Sequence, residues 1–164
     1  MGGCCVGALD SIAENKRGRK TMIAYQLSIF AENKPGKLAH VTRLLAGENI
    51  NIRATTISTS DTFGVISLIV DDPKRAEAVL TKAGMTVNLR RVLAILLPDM
   101  PGGLDHLTQL LYKEEININN AYGFVLESSK RAVFVVDVDQ IEKTEKLLDT
   151  HGFQTLDTTA FSTM

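Results

Sequence analysis

Apolar positions along the chain change their spacing several times, and each change marks an element. Tyr25 to Phe30 is rich in strand formers. After a loop from Ala31 to Pro35 the spacing becomes helical, with Leu38, Val41, Leu44 and Leu45 on one face. Ile50 to Ser58 predicts a second strand, Ser60 to Gly64 a turn, and Val65 to Val70 a continuous apolar strand closing a hairpin. Asp72 is placed to cap a second helix with Pro73 at its first position, where a missing N–H costs nothing. Ala76, Val79, Leu80 and Ala83 would form that helix's buried stripe, and Gly84 would end it in the left-handed conformation.

The pattern is then written again. Pro35-Gly36-Lys37-Leu38-Ala39-His40 recurs as Pro101-Gly102-Gly103-Leu104-Asp105-His106, and Ile50-Asn51-Ile52 recurs as Ile116-Asn117-Ile118 at the same displacement. The second copy starts near Val92 and has Leu104, Leu107, Leu110 and Leu111 as its first helical stripe and Ala132 to Val138 as its third strand. Asp139 and Glu142 have the spacing of a capping box for its second helix, and Gly152 stands where Gly84 stood.

Strand, helix, two strands, helix, strand is the order of a ferredoxin-like βαββαβ plait, an antiparallel sheet with both helices on one face. The fold class is therefore α+β, two such plaits in tandem. One copy of about 65 residues has a marginal core, so the two are expected to pack as a pseudo-dimer. Met85 to Leu97 contains no Gly, Pro or Ser, so the last strand of one copy nearly abuts the first of the next. The expected division is a leader over 1–21, a first domain over 22–90 and a second over 91–164.

Composition narrows the partners. Apolar residues at 45% and charged residues at 23% suit a packed core, and a net charge of −1 removes the broad electrostatic reason to bind nucleic acid. The longest apolar candidate, Val92 to Leu97, is far short of the roughly 18 residues a membrane span needs. Cys4 and Cys5 are adjacent and lack a second pair for a zinc site or disulfide framework, which fits a cytoplasmic protein. They lie in a leader that ends Lys16-Arg17-Gly18-Arg19-Lys20 and lacks the apolar stretch of a secretory signal. Gly2 suggests acylation, but Val6 stands where the myristoylation pattern wants Ser or Thr. A disordered extension, or a start placed upstream of a natural one at Met22, is the expectation.

The informative loop is Asn33-Lys34-Pro35-Gly36-Lys37-Leu38, which sets a φ-restricted proline and a glycine at a helix N-terminus. Free backbone donors and the helix dipole favour a carboxylate there, and Gly36 lets it approach the main chain. Asn51, with a donor and an acceptor, could help fix an amino-acid head group. Ordinary turn chemistry explains the same residues, since Pro-Gly starts many helices and Asn can satisfy its own backbone. The second copy offers Asp99-Met100-Pro101-Gly102-Gly103, whose Asp99 would repel a carboxylate, so the two sites are expected to be unequal.

Other chemistries find less support. His40 and His106 occupy equivalent helical positions but have no Cys, Glu or second His at catalytic or metal spacing, and Ser67 lies inside an apolar strand. No catalytic residue, metal ligand or cofactor is assigned. An RNA-binding plait would stack bases on aromatic residues of its central strands, and Val65 to Val70 and Ala132 to Val136 supply too few rings.

These residues resemble tandem ACT domains, regulatory modules of amino-acid metabolism, from Ile23 to Thr158. The carriers are Gln26-Leu27-Ser28-Ile29-Phe30 entering Asn33 to Leu38, then Glu48-Asn49-Ile50-Asn51-Ile52, Phe63-Gly64, and Pro101-Gly102-Gly103-Leu104. The chain looks close to stand-alone bacterial proteins made of two such domains. The resemblance implies a non-catalytic sensor binding a small molecule, an amino acid by preference, between ACT domains. By position it implies ligand contacts at Asn33, Pro35, Gly36, Leu38, Asn51 and Ile52, and at Asp99, Gly102, Leu104, Asn117 and Ile118 in the second copy. It also implies a partner among enzymes of amino-acid metabolism. An adaptor that docks on such an enzyme through its sheet without a ligand is the alternative, and a homodimer is the expected assembly.

Overall fold

A computed structural model describes residues 22–163; the expectations for the leader lie outside them. The elements run β1 (Ala24–Glu32), α1 (Lys37–Gly47), β2 (Ile52–Ser60), β3 (Phe63–Val70), α2 (Pro73–Lys82) and β4 (Thr86–Pro98). The second half follows with α3 (Gly103–Lys113), β5 (Ile118–Glu127), β6 (Arg131–Val138), α4 (Ile141–Thr150), β7 (Gln154–Leu156) and α5 (Thr158–Thr163). Both expected plaits are present, and every strand pairing is antiparallel.

The two units share β4. Its first half pairs with β1, Ala24 beside Val92 and Phe30 beside Thr86, and so closes the first plait. Its second half pairs with β6 and β7 and serves as the first strand of the second plait. The abutting strands read from the sequence are thus one strand of 13 residues, and the sheet is continuous with seven strands. The expected division after residue 90 falls inside it.

Alternation along β4 assigns the layers. Val87 and Leu89 pack in a core with Val41, Leu45, Ala76 and Leu80 of the first two helices. Leu93, Ile95 and Leu97 pack in a second core with Leu107, Leu111, Ile141 and Leu148. These odd positions share one face, so α1 to α4 all cover the same side. Val92, Ala94 and Leu96 face the other way into a third cluster with Ala24, Ile69, Val133 and Val135. Phe161 of α5, 1% exposed, belongs to this cluster, so the short C-terminal helix supplies cover that a bare plait lacks. Burying each such large side chain stabilises the fold by about 1.5–3 kcal/mol.

Polar contacts fix the units together. The Tyr122 hydroxyl donates to Gln26 Oε1 (2.9 Å), and Gln26 Nε2 donates to Ser28 Oγ (3.2 Å). Arg90 meets the buried Asp137 carboxylate at 3.1 Å, Arg91 meets Glu142 at 2.7 Å, and Ser162 Oγ donates to the Asp71 carbonyl at 2.9 Å. Burial raises the Tyr122 phenol well above its usual range, which keeps it a donor.

The local signals mostly hold. The Asp72 carboxylate accepts from the Arg75 N–H (3.1 Å) with Pro73 opening α2, and Gly84 and Gly152 are left-handed. Three expectations are corrected. Ala83 is exposed, because the buried stripe of α2 ends at Leu80. Leu38 and Leu104 are 37% and 45% exposed rather than buried, because each lies at the N-terminal end of its helix, one turn before the first stripe residue that enters the core, Val41 and Leu107. No capping box forms at α4, since Asp139 Oδ1 accepts from Asn119 Nδ2 (2.7 Å) and the cap position passes to Gln140.

Candidate functional site

At the first glycine turn, the Asn33 N–H donates to the Thr62 carbonyl (2.8 Å) and its side-chain amide to the Asp61 carbonyl (3.1 Å). Asn33 therefore ties the loop to the β2–β3 turn. Gly36 has φ 88° and ψ −14°, and a Cβ there would meet nothing within 4 Å. Backbone handedness requires glycine here, and space does not. Gly36's carbonyl receives the His40 N–H (2.9 Å), while the N–H groups of Leu38 and Ala39 have no acceptor among the described residues. Pro35, Gly36 and Leu38 are exposed beside these donors. Lys34 and Lys37 lie 3.2 and 3.5 Å from the Glu32 carboxylate, and the hydrogen bond from Lys34, then its charge and that of Lys37, hold that carboxyl below its usual 4.5.

The second turn repeats the geometry with different charges. Gly102 has φ 87° and ψ −13°, and the Leu104 and Asp105 N–H groups have no acceptor among the described residues. Asp99 takes the part of Asn33: its carboxylate accepts from the Ser129 N–H (2.6 Å), and its own N–H donates to the Lys130 carbonyl (3.2 Å). The group expected to repel a carboxylate is thus engaged in holding the β5–β6 turn. Asp105, in the first turn of α3, adds a second negative charge that α1 lacks.

The other candidates sit at the strand starts. The Asn51 N–H donates to Asp71 Oδ1 (3.0 Å), leaving the Asn51 side chain without a partner among the described residues. In the second unit the Asn117 amide donates to Asn119 (3.3 Å), which itself donates to Asp139, so the equivalent polar groups are consumed internally. Ile52 and Ile118 are half-buried edges of the two helix-side cores. Both strands carry a bulge here, placing Arg53 and Asn119 as the extra residues. Sequence reasoning missed these two. A bulge re-aims a side chain without changing the apolar pattern, so the repeat offset alone could have paired them. The Arg53 Nε is buried without a partner among the described residues.

Register separates the candidates into two sets. Glu32 lies opposite Phe63, and Ile52 lies opposite Val70, so the glycine turn and Asn51 occupy opposite ends of the first unit. The 11 residues of α1 span about 16 Å between them. The two glycine turns lie beyond opposite ends of β4, roughly 40 Å apart at a strand's rise. Asn51 and Asn117 are level with the middle of β4, where Ala24 pairs with Val92 and Val136 with Leu93. Within one chain neither glycine turn reaches either asparagine.

His40 and His106 are exposed, and His106 packs its ring on Phe153 at 5.2 Å between centroids. Among the described residues no cluster of His, Cys, Asp and Glu could hold a metal ion, and no helix is long and apolar enough to cross a membrane.

The sequence pattern of the family described as the ACT domain pair matches residues 22–164. The chain belongs to this family. A solved protein of Bacteroides thetaiotaomicron is 34% identical to this ACT pair, with a TM-score of 0.81 over 87% of this chain and 98% of its own. The regulatory subunit of aspartate kinase from Thermus thermophilus shares the fold at 17% identity and a TM-score of 0.56, covering 78% of this chain and 95% of its own. No curated protein is similar enough in sequence to count as a match.

Proposed function

We propose that this ACT pair is a non-catalytic sensor that binds an amino acid between two copies of the chain. The observation that carries this reading is the separation of the two candidate sets. A site that uses both a glycine turn and a strand start must draw them from different molecules, because one chain holds them at opposite ends. A twofold homodimer that lays the first turn of one copy against Asn51 of the other would make two such sites. The ligand carboxylate would take the Leu38 and Ala39 N–H groups, and Asn51 of the facing copy would bind its ammonium group.

The first turn suits this role better than the second. It has Lys34 and Lys37 against the single Glu32, no acidic residue in the first turn of its helix, and a facing asparagine whose side chain is unengaged. The second turn carries Asp105, and Asn117 is held by Asn119. A negative charge in the first turn favours the helix but opposes a bound carboxylate by the same dipole argument. The working set is therefore Asn33, Pro35, Gly36, Leu38, Asn51 and Ile52. Ligand-dependent stabilisation of one arrangement of the copies would carry the signal to an enzyme partner.

The test is complementation. Gly36→Asp and Asn51→Ala each remove one half of the site, so each variant alone is expected to lose the rise in melting temperature that the parent shows with its amino acid. A dimer mixed from the two variants recovers one intact site and half the binding stoichiometry. Recovery absent from the mixed dimer, with both variants folded, rules out a site shared in this way. If no amino acid stabilises the parent, the adaptor reading takes over, supported by the exposed apolar surface at Phe30 and Phe63.

A further inference from the structure

A cleft of about 290 Å³ opens at the end of the first unit, where β1 finishes, α1 begins and β4 starts. Ile29, Ala31, Val41 and Met85 give it an apolar lining, and Phe30 and Phe63, 54% and 63% exposed, flank it. Glu32 and Lys37 supply its charged groups, and Lys34 shares the Glu32 carboxylate, so two ammonium groups stand against one carboxylate. None of the six residues in the working set lines it.

The second unit carries different groups at the same place. Phe153 stands at the position of Met85, and its ring is engaged by His106. Gly103 stands at the position of Lys37, and α3 sits so close that a Cβ on Gly103 would lie 2.4 Å from the Pro98 carbonyl oxygen. Pro98 and Arg131 replace Glu32 and Phe63 at the pair that closes the strand register. The repeat thus keeps the fold and changes the residues at the positions that line the cleft. Its size is at the small end of small-molecule sites, which admits a compact apolar body and excludes a large cofactor.

We propose that the cleft in the first unit binds a small monocarboxylate with an apolar body, such as a branched-chain acid, its carboxylate shared between Lys37 and Lys34 and its body against Ile29, Val41 and Met85. The site lies within one unit and needs no second copy, although Lys34 and Lys37 also favour the amino acid's carboxylate at the neighbouring glycine turn. Methyl-labelled full-length protein titrated with isocaproate, with the neutral isocaproamide as control, tests it by NMR. Isocaproate is expected to move the Ile29, Val41 and Met85 methyl signals. Isocaproamide and the Lys37→Gln variant should each weaken that response about tenfold. Met85→Phe, which copies the residue of the second unit into the apolar lining, should abolish binding while leaving the circular dichroism spectrum unchanged, and Asn51→Ala should leave binding intact. No movement of those methyls up to about 10 mM isocaproate, or an equal response in Lys37→Gln, overturns the proposal.

Discussion

Phe161→Ala probes how much the open face of the sheet depends on its short cover. The side chain is 1% exposed and contacts a cluster built from both units, with Ala24 and Ile69 from the first and Val133 and Val135 from the second. Truncating a buried phenylalanine to alanine costs about 3–5 kcal/mol when the cavity cannot collapse. A six-residue helix can instead detach, which caps the loss at the free energy that holds α5 in place. Either route exposes Val92 and Ala94, fully buried in the native chain. Against a total stability of about 5–15 kcal/mol the effect is large. With a urea dependence near 2 kcal/mol per molar, the unfolding midpoint should fall by about 2 M. The chain has no tryptophan, so tyrosine emission, with Tyr122 packed against this cluster, reports the transition beside circular dichroism. Removing residues 158–164 should cost at least as much. A loss under about 0.5 kcal/mol in both variants would refute the assignment of α5 as structural cover, since that is the range of ordinary surface changes.

Tyr122→Phe leaves the Gln26 side-chain oxygen buried without its donor and should cost about 1–3 kcal/mol in urea unfolding. Adding Gln26→Leu should return part of that loss, which a double-mutant cycle reads directly. Gly103→Ala should destabilise more than Gly36→Ala: the first drives a Cβ against a backbone carbonyl, while the second meets only the left-handed penalty of about 1–2 kcal/mol. Glu32 should titrate below its usual 4.5 in a carboxyl-detected NMR series, and Lys34→Met should raise it. Because its folded value is depressed, the stabilising pair is present at neutral pH and disappears as pH falls through that folded value.

The fold was legible because each plait states itself in short-range pattern. The apolar spacing of Val41 and Leu45, the Asp72-Pro73 start and the left-handed glycines Gly84 and Gly152 are local decisions, and the repeat doubled each of them. The stretch from Met85 to Leu97, free of breakers, read as two abutting strands and folds as one, because nothing in it lets the backbone turn. What escaped was set by tertiary partners. The α4 cap moved because Asn119, a bulge residue, claims Asp139. α5 gave no sequence signal because six residues show less than two turns of periodicity, and Phe161 earns its burial only against strands far away in the chain.

For the candidate site, the repeat was a guide to position and a poor guide to use. Gly36 and Gly102 share dihedral angles to within a degree or two, so duplication preserved the turn. The polar groups around them diverged. Asn33 and Asp99 both moor a hairpin turn, one through an amide and one through a carboxylate, so the fold role alone accounts for a polar residue there. Asn51 and Asn117 part further, because a second asparagine at the bulge satisfies one of them and an arginine at the same place leaves the other unengaged. Lys37 and Gly103 part furthest, since a Cβ on Gly103 would lie 2.4 Å from the Pro98 carbonyl oxygen, whereas the Lys37 ammonium reaches the Glu32 carboxylate at 3.5 Å. The changes at Asn117 and Gly103 each remove a ligand-binding option from the second unit, whereas Asn33 and Asp99 serve the fold alike. That asymmetry is the reason the proposed site is placed on the first unit, where the Asn51 side chain is unengaged among the described residues while Asn117 is held by Asn119.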